Sequence, residues 1–419
     1  MEGKRFIRTL RVRNLLSYGP DSEEIALEPL NVLIGPNGSG KSNLISAISV
    51  LAAAPRDLTE PFHSGGGIAD WLWKGSPDAT KGEILATFDG SVAEGGLEYE
   101  INLGVRGQRV ELLSEEIRDP ESARLWNSPL SQRFELDGEE MAIAPDEEPY
   151  YRYAEGMEPA VRRRSPAEQA GLHNPMESAR QGRRDWANGR SVLSQRLDPE
   201  LYPEIGYLAD QLPMIRFYRE PIFGREAQPR RPQSADLPQD LLEEDGRNLA
   251  LVINALRRRP EERRLIVENL RAMLEFATDV DTRIFGGTVV LDIIENGLNE
   301  AVPASRLSDG TLRFLCLTAI LCHPEPPPLA CIEEPELGLH PDILSVVARM
   351  MVEASKRMQL IVTTHSDLLV SHLSDTPEAV VVCDRRASRT VLRRLAPGMA
   401  GEAPLGERWL SGEIGGIRW

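Results

Sequence analysis

Lysine is scarce in this chain. Only Lys4, Lys41, Lys74, Lys81 and Lys356 are present, so 43 of the 48 cations are arginine. Net positive charge is missing as well: 65 acidic residues outweigh the cations and the net charge is −17. That excludes a protein that coats nucleic acid through a uniformly basic surface, though a local basic groove stays open. No apolar run approaches the ~20 residues that span a bilayer. Met1–Arg5 leads straight into an alternating pattern without the apolar core of a secretory signal, which predicts a cytoplasmic protein with no membrane partner. Cysteine is limited to Cys316, Cys322, Cys331 and Cys383, in or beside apolar stretches and without metal-ligand spacing. They read as reduced core residues. Sustained heptads and internal repeats are absent, which excludes a long coiled coil or a solenoid.

What is present is an ordinary globular balance, 41% apolar and 27% charged over 419 residues, enough for two to three domains. Phe6–Val12 alternates as a strand does, and Asn31–Ile34 is a short buried strand ending in glycine. Residues 43–53 are helical in character. Strand-like runs recur at Ile84–Phe88, Leu97–Leu103 and Arg109–Leu113. Residues 1–115 therefore read as a β-rich lobe with one crossover helix. Composition then shifts, acidic over 135–148 and polar and arginine-rich over 150–190. Helical spacing returns from 191 to 279, with a break or new start at Pro203 and stripes at Leu249–Leu256 and Leu265–Leu274. Strands are predicted again at Thr288–Ile294, Leu329–Ile332, Leu360–Thr363 and Ala379–Cys383, with helices starting near Thr311 and Pro341.

The segment Gly35-Pro36-Asn37-Gly38-Ser39-Gly40-Lys41-Ser42 fits G-x-x-x-x-G-K-[ST] at every fixed position, after an apolar strand and ahead of a helix. Glycines let successive N–H groups turn inward onto phosphate oxygens, aided by the helix N-terminus. Lys41 would reach the β- and γ-phosphates, and Ser42 would offer its hydroxyl to Mg²⁺. Asn43 is grouped with the loop. The competing reading is a glycine turn that happens to carry lysine.

Three later segments complete a pattern. Pro328–Pro335 is a buried strand delivering two carboxylates at its end, as a Walker B element does. Glu333 would support the Mg²⁺ shell, and Glu334 would orient and deprotonate the attacking water. Ahead of it, Leu307-Ser308-Asp309-Gly310-Thr311 opens a helix. Ser308 and the N–H of Gly310 suit a γ-phosphate there, while the plainer reading makes Ser308 an ordinary helix cap. Ile361–Ser366 is an apolar strand ending in His365, placed to sense the γ-phosphate.

In this order the phosphate loop, Leu-Ser-Asp-Gly-Thr, Glu333–Pro341 (Glu-Glu-Pro-Glu-Leu-Gly-Leu-His-Pro) and Thr363-Thr364-His365-Ser366 resemble the ABC/SMC-type ATPase heads. Among these they are similar to the bacterial ATPases related to OLD and RecF. Asp70–Gly75 and the tail Trp409–Gly416 share that resemblance. It implies an α/β fold: an ABC-type P-loop ATPase head in two halves, 1–115 and 285–419, around an arginine-rich, mostly helical insertion at 116–284. It also implies ATP and Mg²⁺ as ligands and a head-to-head homodimer. The loop of one chain would face Ser308 and Gly310 of the other, with His340 and the surroundings of Gly338 at the partner contact. Glu334, His365 and Lys41 would then be catalytic. Gln108 is the nearest candidate for a Q-loop glutamine. OLD proteins continue into a Toprim nuclease. Only about 54 residues follow His365, which predicts no nuclease here.

The resemblance implies an ATP-hydrolysing dimeric switch, the sensor or scaffold ATPase of an antiphage defence system acting on a separately encoded effector. Two alternatives stand beside it: a RecF-like DNA-repair clamp, and an ATP-bound scaffold with little turnover. Partner or nucleic-acid contact is expected at two basic runs. One is Arg162, Arg163, Arg164, Arg180, Arg183, Arg184 and Arg190; the other is Arg257, Arg258, Arg259, Arg263 and Arg264. Arg11 and Arg13 are candidates to approach the nucleotide.

Overall fold

The computed structural model describes residues 3–64, 66–76, 80–90, 95–107, 109–119, 124–128, 133–136, 139–142, 191–194, 202–219, 224–398 and 403–416. The first basic run, at 162–190, and Gln108 lie outside the described residues.

A six-stranded sheet organises the molecule, in the order β10 (Arg216–Tyr218), β15 (Leu329–Glu333), β16 (Gln359–Thr363), β3 (Leu30–Ile34), β17 (Val380–Arg386), β18 (Arg389–Arg394). The first five strands are parallel, and only β18 runs antiparallel. Continuous apolar runs such as Leu-Ile-Val in β16 suit strands covered on both faces. The pleat divides them between two cores. Val32, Ile332, Val362 and Val382 face one cluster, and Leu33, Cys331, Ile361 and Val381 face the other. The first cluster is closed by the helices Leu249–Arg257, Pro260–Met273, Asp309–Leu321 and Leu344–Ser355. The second is closed by the helix Lys41–Ala53 and an antiparallel lobe.

That lobe is a second six-stranded sheet: β2 (Ile25–Ala26), β1 (Ile7–Arg13), β4 (Lys81–Phe88), β5 (Leu97–Arg106), β6 (Arg109–Asp119) and β7 (Arg124–Ser128). Its inward alternation is carried by Ile84, Ala86 and Phe88 and by Leu97, Tyr99, Ile101 and Leu103, all buried. Gln359 ties the lobe to the parallel sheet. Its Oε1 accepts from the N–H groups of Phe6 and Ile7, and its Nε2 donates to the Ile7 carbonyl. A small sheet joins β11 (Gln233–Ser234), β13 (Thr288–Glu295), β12 (Ala277–Phe285) and β14 (Val302–Pro303), and β8 (Arg133–Leu136) pairs with β9 (Glu139–Ala142).

The helical reading of 191–279 needs correction. Arg216–Tyr218 is a strand that extends the parallel sheet beside β15, and Ala277–Phe285 is a strand paired with β13. Both were missed because their pairing partners lie far along the chain, and short runs carry little period of their own. Pro203 opens a new helix, Pro203–Gln211, as a first-turn proline does. Among the described residues no helix is long and apolar enough to cross a membrane.

Candidate functional site

The strands β15, β16 and β3 are adjacent and parallel, so their carboxyl ends open onto one edge, where α/β sheets hold their ligands. At that edge β3 passes into the glycine loop. Gly35 has φ 145°, and a Cβ there would lie 2.2 Å from the Cys383 carbonyl oxygen. Gly40 has φ 101°, and a Cβ there would lie 2.1 Å from Thr390 Oγ1 and 2.5 Å from Ser17 Oγ. Only glycine satisfies both the backbone and the space. The loop is tied down from outside. The Thr390 hydroxyl donates to the Ser39 carbonyl (2.8 Å) and lies 2.6 Å from Ser17 Oγ, and Tyr18 donates to the Gly40 carbonyl (3.1 Å). Asn43 Nδ2 donates to Ser17 Oγ at 2.8 Å. Asn43 thus serves the loop's support.

Lys41 is 6% exposed and its ammonium donates to the carbonyls of Gly35 (2.8 Å) and Pro36 (3.0 Å). Burial lowers its pKa, opposed by Cys383, Glu334, Glu333 and Glu336. The tail returns to the same place. Trp409 is fully buried and donates to the Gly416 carbonyl (2.6 Å), and a Cβ on Gly416 would lie 3.4 Å from the Gly35 Cα.

Ser42 Oγ donates to Glu333 Oε2 at 2.5 Å. Two hard oxygen donors, held together at the mouth of a phosphate loop, fit a Mg²⁺ site. Ser42 and Glu333 would hold the ion, and its chemistry there is to neutralise charge between neighbouring phosphates. Glu334 follows with φ 47°, a left-handed backbone that turns its side chain out of the strand. Its N–H donates to the Thr363 carbonyl (2.9 Å), and Arg313, 4% exposed, donates to the carbonyls of both Glu333 (3.2 Å) and Glu334 (3.3 Å). Strain at Glu334 is therefore held from two sides. Its Oε1 lies 3.7 Å from His365 Nε2.

Glu336 carries a role that sequence reasoning missed. Its Oε1 accepts from the Thr364 hydroxyl and from the His365 N–H, each at 2.8 Å, so one carboxylate fixes the loop that presents the histidine. Burial raises its pKa, opposed by those donors, and its Oε2 is buried without a hydrogen-bond partner among the described residues. Glu336 stood in the quoted motif, but nothing local distinguishes it from a solvated turn residue. Ser17, Tyr18 and Thr390 carry no sequence signal, since they act only through the fold.

Ser308 caps its helix, with Oγ accepting from the Thr311 N–H at 3.0 Å. Gly310 packs against the acidic turn, where a Cβ would be 2.6 Å from the Gly338 carbonyl oxygen. Among the described residues no hydrogen bond or ion pair joins Ser308 or Gly310 to residues 35–42. The loop, Glu333, Glu334 and His365 are thus brought together in one chain. His340 is exposed and its Nδ1 accepts from the Asp342 N–H (3.4 Å).

The second basic run is largely neutralised. Arg257 pairs with Asp281, Arg263 with Asp279, Arg259 with Glu325 (2.8 Å) and Arg264 with Glu268 (3.6 Å), while Arg258 is exposed. Arg11 pairs with Glu83 at 2.7 Å, and Arg13 lies 3.9 Å from the same carboxylate. Both lie on β1 beside β4, the strand that carries Glu83, and among the described residues no hydrogen bond or ion pair joins them to residues 35–42.

Comparison with protein families matches residues 30–371 to the family described as "AAA domain, putative AbiEii toxin, Type IV TA system". A search of curated proteins gives no match. Among solved structures, an SMC head bound to the C-terminal winged-helix domain of ScpA is 14% identical, with a TM-score of 0.50. The alignment covers 93% of this chain and 98% of that one. An SMC head domain with coiled coil and joint from Pyrococcus yayanosii is also 14% identical, with a TM-score of 0.49 and coverage of 94% and 98%. At such identity the first likeness speaks for the fold: the chain has the α/β architecture of SMC-type ABC ATPase heads.

Proposed function

The chain belongs to this AAA-domain family, and from that premise we propose that it is an ATP hydrolase acting as a nucleotide-gated homodimer. One observation carries the reading. Parallel strands β15 and β16 deliver Glu333, Glu334 and His365 to the mouth of the loop at the end of β3, with Ser42 already bonded to Glu333. Lys41 and the loop N–H groups bind the phosphates, while Ser42 and Glu333 hold Mg²⁺. Glu334 orients a water molecule and takes its proton as that water attacks the γ-phosphorus. His365, 3.7 Å from the Glu334 carboxylate, meets the γ-phosphate oxygens.

Dimerisation is the second part of the proposal. Among the described residues Ser308 and Gly310 make no hydrogen bond or ion pair to their own loop; they serve the loop of a second copy, and two-fold symmetry then makes two equal sites. Leu337 and Leu368, 37% and 43% exposed, flank Glu334 and His365 and supply apolar rim to that contact. In the cell the dimer would act as the sensor or scaffold ATPase of an antiphage system, with a separately encoded effector. The family's description, which names a toxin–antitoxin system, supports defence over repair. So do the ion pairs that occupy four of the five arginines at 257–264.

The test is the Glu334→Gln variant in ATP, followed by light scattering. It forms a stable dimer under the proposal, and a persistent monomer rejects the composite site. Steady-state phosphate release by the wild type separates a working hydrolase from a static scaffold.

A further inference from the structure

Arg230 lies in a short 3₁₀ turn, Gln228–Arg230, far from the phosphate loop in sequence. Its side chain is only 12% exposed. All three kinds of guanidinium nitrogen are used. Nη1 donates to the Leu307 carbonyl (2.5 Å), Nη2 to Asp309 Oδ1 (2.5 Å) and Nε to the Gly224 carbonyl (2.9 Å). The Gly224 N–H closes the ring by donating to the same Asp309 oxygen at 3.0 Å. Leu307 and Asp309 are the residues immediately before and after Ser308. The hydrogen bond from Arg230 is the first cause holding the Asp309 carboxyl below its ordinary range.

We propose that Arg230 is a positioning residue for the Leu307–Gly310 loop, fixing Ser308 and the Gly310 N–H to receive the γ-phosphate of ATP bound to a second copy of the chain. The inference rests on the composite-site reading above and adds to it the residue that sets the loop. The argument is geometric. A planar fork that bonds a carbonyl on one side of Ser308 and a carboxylate on the other fixes both ends of the loop at once, which a single point charge cannot do. It also explains an aspartate inside the loop. Asp309 begins a helix, where an acid is favoured, and its carboxylate is turned to Arg230 rather than toward a phosphate, which it would repel. Because the loop serves the neighbouring copy, losing Arg230 damages a site whose phosphate loop belongs to the other chain.

Complementation tests this with full-length chains. Arg230→Ala alone lowers phosphate release about tenfold or more, the scale of lost charge-assisted bonds. It still binds a fluorescent ATP analogue as the wild type does. Lys41→Ala alone is inactive. Mixed in equal amounts, the two form heterodimers with one intact site, and activity recovers to roughly a quarter of the wild-type rate. A Ser308→Arg chain mixed with Lys41→Ala is the control. Recovery in the control but not with Arg230→Ala overturns the role of Arg230 while leaving the composite site standing. No recovery in either mixture rejects the composite site itself, and the proposal falls with it. Wild-type turnover by Arg230→Ala also overturns it. Arg230→Lys keeps the charge without the fork and gives an intermediate rate, which covers the case in which the alanine variant does not fold. A lysine variant equal to wild type rejects the fork argument.

Discussion

Ser42 and Glu333 stand 291 residues apart in the chain, yet the serine hydroxyl donates to the glutamate carboxylate across the carboxyl edge of the parallel sheet. Each is an oxygen ligand of the kind Mg²⁺ takes, and neither can approach the other unless β3, β16 and β15 are adjacent. Ser42→Ala or Glu333→Gln should therefore weaken magnesium binding. Titrating Mg²⁺ at saturating ATP should give a half-activating concentration raised about tenfold or more, on the scale of losing a ligand or its support. An unchanged magnesium curve would remove the pair from the metal site.

Glu336→Ala should separate binding from chemistry. Both the Thr364 hydroxyl and the His365 N–H donate to the one oxygen Oε1, so truncating the side chain removes both bonds at once and frees the loop that presents the histidine. Affinity for a fluorescent ATP analogue should stay within about twofold, while kcat falls on the order of tenfold or more through the misplaced His365. Equal loss of affinity and kcat would show that Glu336 holds the whole site rather than the histidine loop.

Gly40→Ala should damage the loop itself. The added methyl meets Thr390 Oγ1 and Ser17 Oγ, and the residue must hold φ 101°. Overpacking of this kind costs about 1–3 kcal/mol, with backbone strain added. Thermal unfolding should show a lower midpoint and nucleotide titration a large loss of affinity. The double variant with Thr390→Ala relieves only the contact with Thr390 Oγ1 and leaves the backbone angle unchanged. Full recovery of affinity in that double variant would mean that the backbone angle is not a constraint.

Glu115 gives a pH signature in the lobe. It is 1% exposed and accepts from the Tyr99 and Ser191 hydroxyls (2.6 Å each) and from the Val192 N–H (2.7 Å). Burial nevertheless raises its pKa. A carboxyl that holds its proton more tightly when folded makes the folded state bind more protons than the unfolded one. Its contribution to stability therefore falls as pH rises from the ordinary carboxylate range through the raised value. Chemical unfolding of wild type and Glu115→Gln between about pH 4 and pH 7 should show the wild type losing stability relative to the variant as pH increases. A difference that does not change with pH would rule out the raised titration.

Legibility in the sequence followed the range of the interaction. Gly35, Gly40 and Lys41 could be read directly, because turning a backbone around phosphates is local chemistry and leaves a fixed spacing. The buried strands at 30–34, 329–333 and 359–363 were readable as well, since strands covered on both faces need unbroken apolar runs. The α/β class follows from those two facts. Arg216–Tyr218 and Ala277–Phe285 were not readable as strands, because short segments owe their conformation to distant pairing partners.

The arginines divide in the same way. Their number is a property of composition, but whether one is a free cation depends on which carboxylate the fold brings to it. Arg263 is occupied by Asp279, and Arg230 is committed to the loop around Ser308. Glu336 is the clearest case. Its place in Glu-Glu-Pro-Glu is sequence, while its hold on His365 exists only because β15 and β16 run parallel and end at the same edge. The phosphate-loop chemistry and the sheet-forming strands are written in local residue order, because both depend on neighbours along the chain. Tertiary structure alone decided which acids, hydroxyls and arginines meet, because a hydrogen bond reaches about 3 Å and only folding brings residues hundreds of positions apart within it.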